Sequence, residues 1–174
     1  PIKKTNIIFK KIKKLGKKFK ITYSGMHTLD ILRLEKKFLH WGHDITSENN
    51  PFEAGLSFTV NFEKKQNFIG REVLEKIKDE PLAKKLELFS LKNKFKPGEP
   101  LLLHDEPIFN KEKIVGYTTS ANFSFFYKKN ICLAYIDGKI RDNDELYIEV
   151  EKKKYALQLE KKPLHDPLSK LMRS

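Results

Sequence analysis

The chain predicts an α+β fold: a mixed helical and strand segment over residues 1–81, followed by a six- or seven-stranded antiparallel β-barrel over residues 82–174. Three observations carry this. Before Pro81, apolar residues recur at steps of three and four, the period of an amphipathic helix. After Pro81 the period drops to two, the signature of half-buried strands. The strand-like runs are short, evenly spaced and separated by turn residues, as a closed or nearly closed barrel requires.

Ile8, Ile12, Leu15 and Phe19, with lysines between them, form one face of a first helix of roughly four turns. Such a basic amphipathic helix suits a membrane surface or a partner groove; the simpler expectation is a surface helix packed on its own domain. Ser24-Gly25 interrupts the pattern, and a second helix follows over 28–38 with Thr28 as N-cap, Asp30 near its positive end, and Leu29, Leu32, Leu34 and Phe38 as buried candidates. Residues 40–50 read as a loop. A third helix over 70–78 buries Val73, Leu74 and Ile77 and stops before Pro81. Strand candidates then fall at 86–91, 101–103, 114–118, 123–127, 131–136, 146–150 and 155–159. Turns are expected at Lys96-Pro97-Gly98, Asp137-Gly138 and the lysine run 152–154.

At 174 residues the chain is long enough for one domain or two small ones. It begins at Pro1 in what reads as mid-helix, so it is expected to be the C-terminal piece of a longer protein. No apolar run approaches the ~20 residues of a membrane span, and the basic N-terminus lacks a signal-peptide core. The lone Cys132 fits a reducing compartment, and a cytoplasmic location is expected. The net charge of +12 invites a nucleic-acid partner, yet only four of 35 basic residues are arginine, the side chain preferred for bidentate phosphate and base recognition. A solvated lysine surface and an anion-binding surface both remain open.

His40, His43 and Asp44 form an HxxHD cluster that on a helix would offer two imidazoles and a carboxylate to zinc. Trp41-Gly42 interrupts helical continuity, so a loop closed by Asp44 hydrogen bonds is expected instead, with no metal. Ser57, His43 and Asp44 make a triad only on paper, since no nucleophile-elbow glycines accompany them. No phosphate-cradling glycine loop is present. Phe123, Phe125, Phe126 and Tyr127 beside Lys128-Lys129 would suit a single-stranded nucleic acid, or simply the core.

The most telling stretch is 50–60, opened by the turn dipeptide Asn50-Pro51 and running through a short amphipathic segment into an apolar, strand-like tail. It lies between Trp41-Gly42-His43-Asp44 and Phe68-Ile69-Gly70-Arg71-Glu72. Together with Leu32-Arg33-Leu34-Glu35-Lys36, Val115-Gly116-Tyr117-Thr118-Thr119-Ser120, the run 131–135 and Pro163-Leu164-His165-Asp166-Pro167, this order resembles the C-terminal part of the folate-dependent aminomethyltransferase (glycine cleavage T protein-like) module. Trp41, Lys36 and the run 102–108 look most like the branch fused to dimethylglycine and sarcosine dehydrogenases. The T protein proper carries an arginine where this chain has Leu29, and an arginine or tyrosine near the chain end where it has Asp166 and Ser169.

The resemblance implies a remnant of the folate-binding domain before residue 82 and the family's barrel after it. It implies capture of a one-carbon unit from a demethylated glycine derivative as 5,10-methylenetetrahydrofolate, with aminomethyltransferase as the alternative and a basic RNA-binding barrel as the rival. Tetrahydrofolate is then the ligand, a small methylated amino acid the parent enzyme's substrate, and FAD a cofactor of an N-terminal domain outside this chain. No membrane partner is implied. The family's catalytic aspartate falls upstream of Pro1, so no catalytic residue is assigned here. Phe58 matches a folate-contacting aromatic, where a phenylalanine keeps ring stacking and loses any hydrogen bond. Leu29 and Trp41 either line the same cleft or belong to the core. Arg33 and Glu35 fit the family pattern, or an ion pair that fixes the second helix.

Overall fold

Six strands close into an antiparallel barrel whose interior is sealed by its own side chains. The computed structural model describes residues 2–94, 96, 99–171 and 173. Helices α1 (Ile2–Gly16), α2 (Met26–Glu35) and α3 (Arg71–Ile77) precede strands β1 (Lys84–Leu91), β2 (Pro107–Asn110), β3 (Lys113–Ser124), β4 (Lys129–Asp137), β5 (Leu146–Val150) and β6 (Lys153–Leu159). Around the barrel the order is β1-β4-β3-β2-β5-β6, returning to β1. Every edge is therefore paired, which removes the open-edge hazard of a small sheet.

The alternation after Pro81 is real, but β1 and β4 are buried on both faces. Phe89 and Leu91 point inward with Cys132, Ala134, Ile136, Leu146, Ile148 and Leu157, filling the barrel. Leu86, Leu88, Ile131, Leu133 and Tyr135 point outward and receive Leu34 of α2, forming a second core. Gly138 admits the incoming chain: a Cβ there would sit 1.8 Å from the Leu82 carbonyl oxygen.

Three strand expectations change. Residues 101–103 form no strand, while Pro107–Asn110 does. The pieces expected at 114–118 and 123–127 merge into the single β3, which absorbs a register shift between Thr118 and Ser120. Phe125, Phe126 and Tyr127 consequently fall in the β3–β4 turn rather than on a strand. The 137–138 turn lies where expected, whereas the last hairpin turns at left-handed Glu151 and Lys152, so that Lys153 and Lys154 of the expected 152–154 turn belong to β6. The expected Lys96-Pro97-Gly98 turn involves Pro97 and Gly98, which lie outside the described residues.

The helices differ more. α2 starts at Met26 behind the extended Gly25, so Thr28 sits inside the first turn and caps nothing. Its C-terminus ends in a Schellman motif: Phe38 N–H donates to the Arg33 carbonyl at 2.8 Å and Lys37 N–H to the Leu34 carbonyl at 2.9 Å, with Lys37 left-handed. Only the face carrying Arg33 and Leu34 meets the barrel. Leu29, Leu32 and Phe38, expected to be buried, are exposed because nothing among the described residues covers the opposite face. Val73 of α3 is exposed too, with Leu74 and Ile77 half-buried. Ile8, Ile12, Leu15 and Phe19 are likewise exposed, so α1 does not pack on its own domain as expected. Phe9 stacks on Tyr23, and Ile21 presses on Gly16, folding the following segment back along the helix. Among the described residues no helix is long and apolar enough to cross a membrane.

Candidate functional site

The junction between α2 and β3 is held by polar groups that the fold buries. Asp44 is fully buried and accepts from the Arg33 guanidinium, from the His40 N–H at 2.8 Å and from the Thr119 hydroxyl at 2.6 Å. Arg33 also donates to Ser120 Oγ at 2.6 Å and lies 3.6 Å from Asp30. Two residues further along α2, Glu35 accepts from the Ser124 hydroxyl, while its carbonyl accepts from His165 N–H at 3.0 Å. A buried carboxylate is tolerated only when its acceptor positions are filled, and Asp44's are. Arg33 is therefore in an ion pair fixing α2, but with Asp44 and not with Glu35. Thr119 and Ser120 entered the sequence reading only within the run 115–120, with no role assigned, and Ser124 not at all; their clustering on one otherwise apolar strand was the available signal.

Asp44 closes the 40–45 loop, as expected. Gly42 is left-handed and donates its N–H to the Ile45 carbonyl at 2.8 Å, so Trp41 is thrown outward and is 67% exposed. The His40 and His43 rings pack 4.6 Å apart. With His27 and His104 they line a cavity of about 280 Å³ between α2 and the barrel. Asp44 faces away into its own bonds, and among the described residues no three His, Cys, Asp or Glu side chains converge as a metal site.

Asn50 organises the next turn: its side-chain oxygen accepts from the Phe52 and Glu53 N–H groups at 3.0 and 2.9 Å. The tail that looked strand-like instead forms a 3-10 turn over Ser57–Thr59. Phe58 stands on that turn 82% exposed. It borders an open groove of about 650 Å³ together with Phe38, Leu39, Leu56, Pro163, Lys36 and Lys37. Leu29 is 54% exposed and, like Trp41, lies outside this groove. Of the three expected ligand contacts, then, all are surface residues and only Phe58 lines this groove.

One rim of the groove leads into the 163–171 segment, which straps across the end of α2. Lys36 Nζ donates to the Asp166 carbonyl at 2.7 Å, the Asp166 carboxylate at 3.2 Å and Ser169 Oγ at 3.4 Å. Burial works to raise the Asp166 pKa, but hydrogen bonds from Lys36 and the Lys170 and Leu171 backbone bring it below its ordinary value. His165 meets the Phe126 ring edge-on. No local sequence signal joins Lys36 to Asp166, which are 130 residues apart.

Elsewhere, burial pushes the Cys132 thiol up to about 12, which leaves it inert in the barrel core. Burial likewise raises Tyr135 to about 12, with Glu53, Tyr117 and Asp44 adding to the effect. Phe125 and Phe126 are exposed in the β3–β4 turn.

Residues 1–64 match the domain described as GCVT N-terminal domain, and residues 84–166 match the glycine cleavage T-protein C-terminal barrel domain. Mitochondrial dimethylglycine dehydrogenase of Mus musculus is 31% identical over 158 residues, which cover 90% of this chain and 18% of that protein. Aminomethyltransferase of Prochlorococcus marinus (strain NATL2A) is 34% identical over 148 residues, or 83% of this chain and 38% of that protein. The mitochondrial pyruvate dehydrogenase phosphatase regulatory subunit of Mus musculus is 31% identical over 145 residues, or 83% and 16%. Among solved structures, the glycine cleavage system aminomethyltransferase T from Bartonella henselae superposes with a TM-score of 0.80 at 20% identity, covering 96% of this chain and 45% of that one. That likeness establishes the fold. The chain spans less than half the length of each of these four proteins.

Proposed function

The chain belongs to the glycine cleavage T-protein family, and from that premise we propose that it is the tetrahydrofolate-binding C-terminal part of a dimethylglycine or sarcosine dehydrogenase-like enzyme. The reaction is capture of the one-carbon unit released from an N-methylated glycine as 5,10-methylenetetrahydrofolate. Tetrahydrofolate supplies the nitrogens that accept the carbon. What this chain contributes is placement: Phe58 offers an exposed ring face, and Phe38, Leu39 and Pro163 line the groove beside it. The single observation carrying the reading is Phe58, held outward on a 3-10 turn beside an open groove of about 650 Å³. Leu29 and Trp41, which lie outside this groove on α2 and the 40–45 loop, belong to the same proposal as further ligand contacts. A flavin, on this reading, belongs to a domain outside this chain, and residues 1–174 alone turn nothing over.

The division into 1–81 and 82–174 and a cytoplasmic location belong to the same proposal; the latter rests on the lone thiol of Cys132. Aminomethyltransferase activity proper is the alternative, supported by the 34% identity to the Prochlorococcus enzyme. A non-catalytic, regulatory role has one observation in its favour, the 31% identity to a phosphatase regulatory subunit.

Equilibrium dialysis of tetrahydrofolate against the chain tests the site. Phe58→Ala is expected to weaken binding by about 1–3 kcal/mol, the range for losing a stacked, buried aromatic contact. Unchanged affinity removes Phe58 from the site.

A further inference from the structure

Four of the chain's five histidines surround one cavity. His27 comes from the first turn of α2, His40 and His43 from the 40–45 loop, and His104 from the run before β2. The space between them is about 280 Å³ and shares no lining residue with the groove beside Phe58. Small-molecule sites begin at about 300 Å³, so an occupant here is compact. All four histidines are exposed, and each takes up a proton without burying a charge. The His40 and His43 rings lie 4.6 Å apart, where two imidazolium ions repel unless an anion sits against both.

The other charged groups around the cavity set the sign. Helix α2 supplies Asp30 and Arg33, 3.6 Å apart, and the 40–45 loop supplies buried Asp44, which is bonded to Arg33. Asp105 lies 2.7 Å from His104 Nδ1. Strand β3 lines the cavity with Thr119, Ser120, Ala121 and Asn122, none of which titrates. With neutral imidazoles, one cation stands against three carboxylates. With all four protonated, five cations face the same three. The first turn of α2 has no acidic residue and no side-chain cap, so the positive end of the helix adds to the attraction.

We propose that this cavity is a proton-gated site for a compact tetrahedral oxyanion, the phosphate group of a small molecule, held among His27, His40, His43 and His104. Imidazole is the side chain whose charge changes between about pH 5 and 8, so the site attracts an anion on the acid side of that window and repels it on the alkaline side. Donors arriving from three separate segments suit a tetrahedral group better than a carboxylate, whose oxygens lie in one plane. The site is independent of the folate reading.

The test is isothermal titration calorimetry of the 174-residue chain with sulfate, standing in for phosphate, and with formate. Both anions keep their charge across the window, and titrations at about pH 5.5 and about pH 8 are matched at ~150 mM salt. Sulfate should bind at least about tenfold more tightly on the acid side, the value of one charge-assisted hydrogen bond, and more tightly than formate. His40→Gln combined with His43→Gln should remove most of that pH dependence. His165→Gln, which alters the one histidine outside the cavity, should keep it. Binding to surface lysines would be equal at the two pH values and would survive in the double variant, and that result overturns the inference. So does an absence of sulfate binding at about pH 5.5, or a preference for formate. Should the double variant fail to fold, the ring signals of the wild-type chain in NMR spectra decide. Sulfate on the acid side should shift those of His40 and His43 and leave His165 unmoved; equal shifts at all of them overturn the site.

Discussion

The barrel and the helical segment use similar apolar residues to opposite ends. In the barrel, Phe89, Ile108, Leu133 and Ile148 are sealed, and even the outward face of β1 and β4 is covered by Leu34. In the helical segment, Ile8, Ile12, Leu29, Phe58 and Val73 stand in solvent. The difference is closure. Six strands satisfy one another's backbone and enclose a core, whereas an amphipathic helix buries its apolar stripe only if a second surface meets it. Periodicity reports that a face is apolar, not that it has a partner.

The sharpest way to break this comparison is to truncate one apolar side chain on each side. Phe89→Ala should cost about 3–5 kcal/mol, the price of an unfilled barrel core, read from the urea midpoint. Ile12→Ala on α1 should stay within about 0.5 kcal/mol, as substitutions away from packed features do. Equal losses would mean that α1 is packed after all.

The junction between the two regions comes next. Asp44→Ala leaves the part-buried Arg33 guanidinium with only the longer carboxylate contact, to Asp30 at 3.6 Å, and removes acceptors from His40 and Thr119. A loss of about 3 kcal/mol is expected, the lower end for breaking a buried pair. Arg33→Met together with Asp44→Ala should recover part of that loss. If the double variant is no better than Asp44→Ala, charge is not what the junction depends on.

The strap gives the smallest effect and a pH signature. Asp166 titrates below its ordinary value of 3.8 in the folded chain. A depressed carboxylate pKa stabilises the fold where the group is ionised, so the contribution is complete well above the ordinary value and is lost as pH falls from there through the lowered value in the folded chain. Hydrogen exchange across 163–171 should therefore accelerate in that acid window in the wild-type chain. In Asp166→Asn it should be fast at neutral pH and lack the transition. An acid transition that survives in Asp166→Asn would assign the effect to another carboxylate.

Phe58 shows how far the sequence reaches. Asn50-Pro51 marked a turn, and the structure has one, with the Asn50 side chain bonded to the next two amides. The apolar tail then suggested a strand, but among the described residues no strand pairs with its backbone, and a 3-10 turn forms there instead. Trp41 was legible as a special residue; Gly42, by turning left-handed, decided that it faces out. The strands show the same limit. The merging of 114–118 and 123–127 into β3 depends on a register shift against β4, which no local pattern encodes.

By itself the sequence determined the things that depend on neighbours a few residues apart: the helical period of α1 and α2, the alternation after Pro81, the turns, and the motif order that marks the family. Only the tertiary structure decided which apolar faces found a partner, which strands joined, and that Lys36 meets Asp166 and Arg33 meets Asp44 and Ser120. The physical reason is range. Backbone propensity and periodicity act within a turn or two, while burial and ion pairing are properties of surfaces that meet only after the chain has closed on itself.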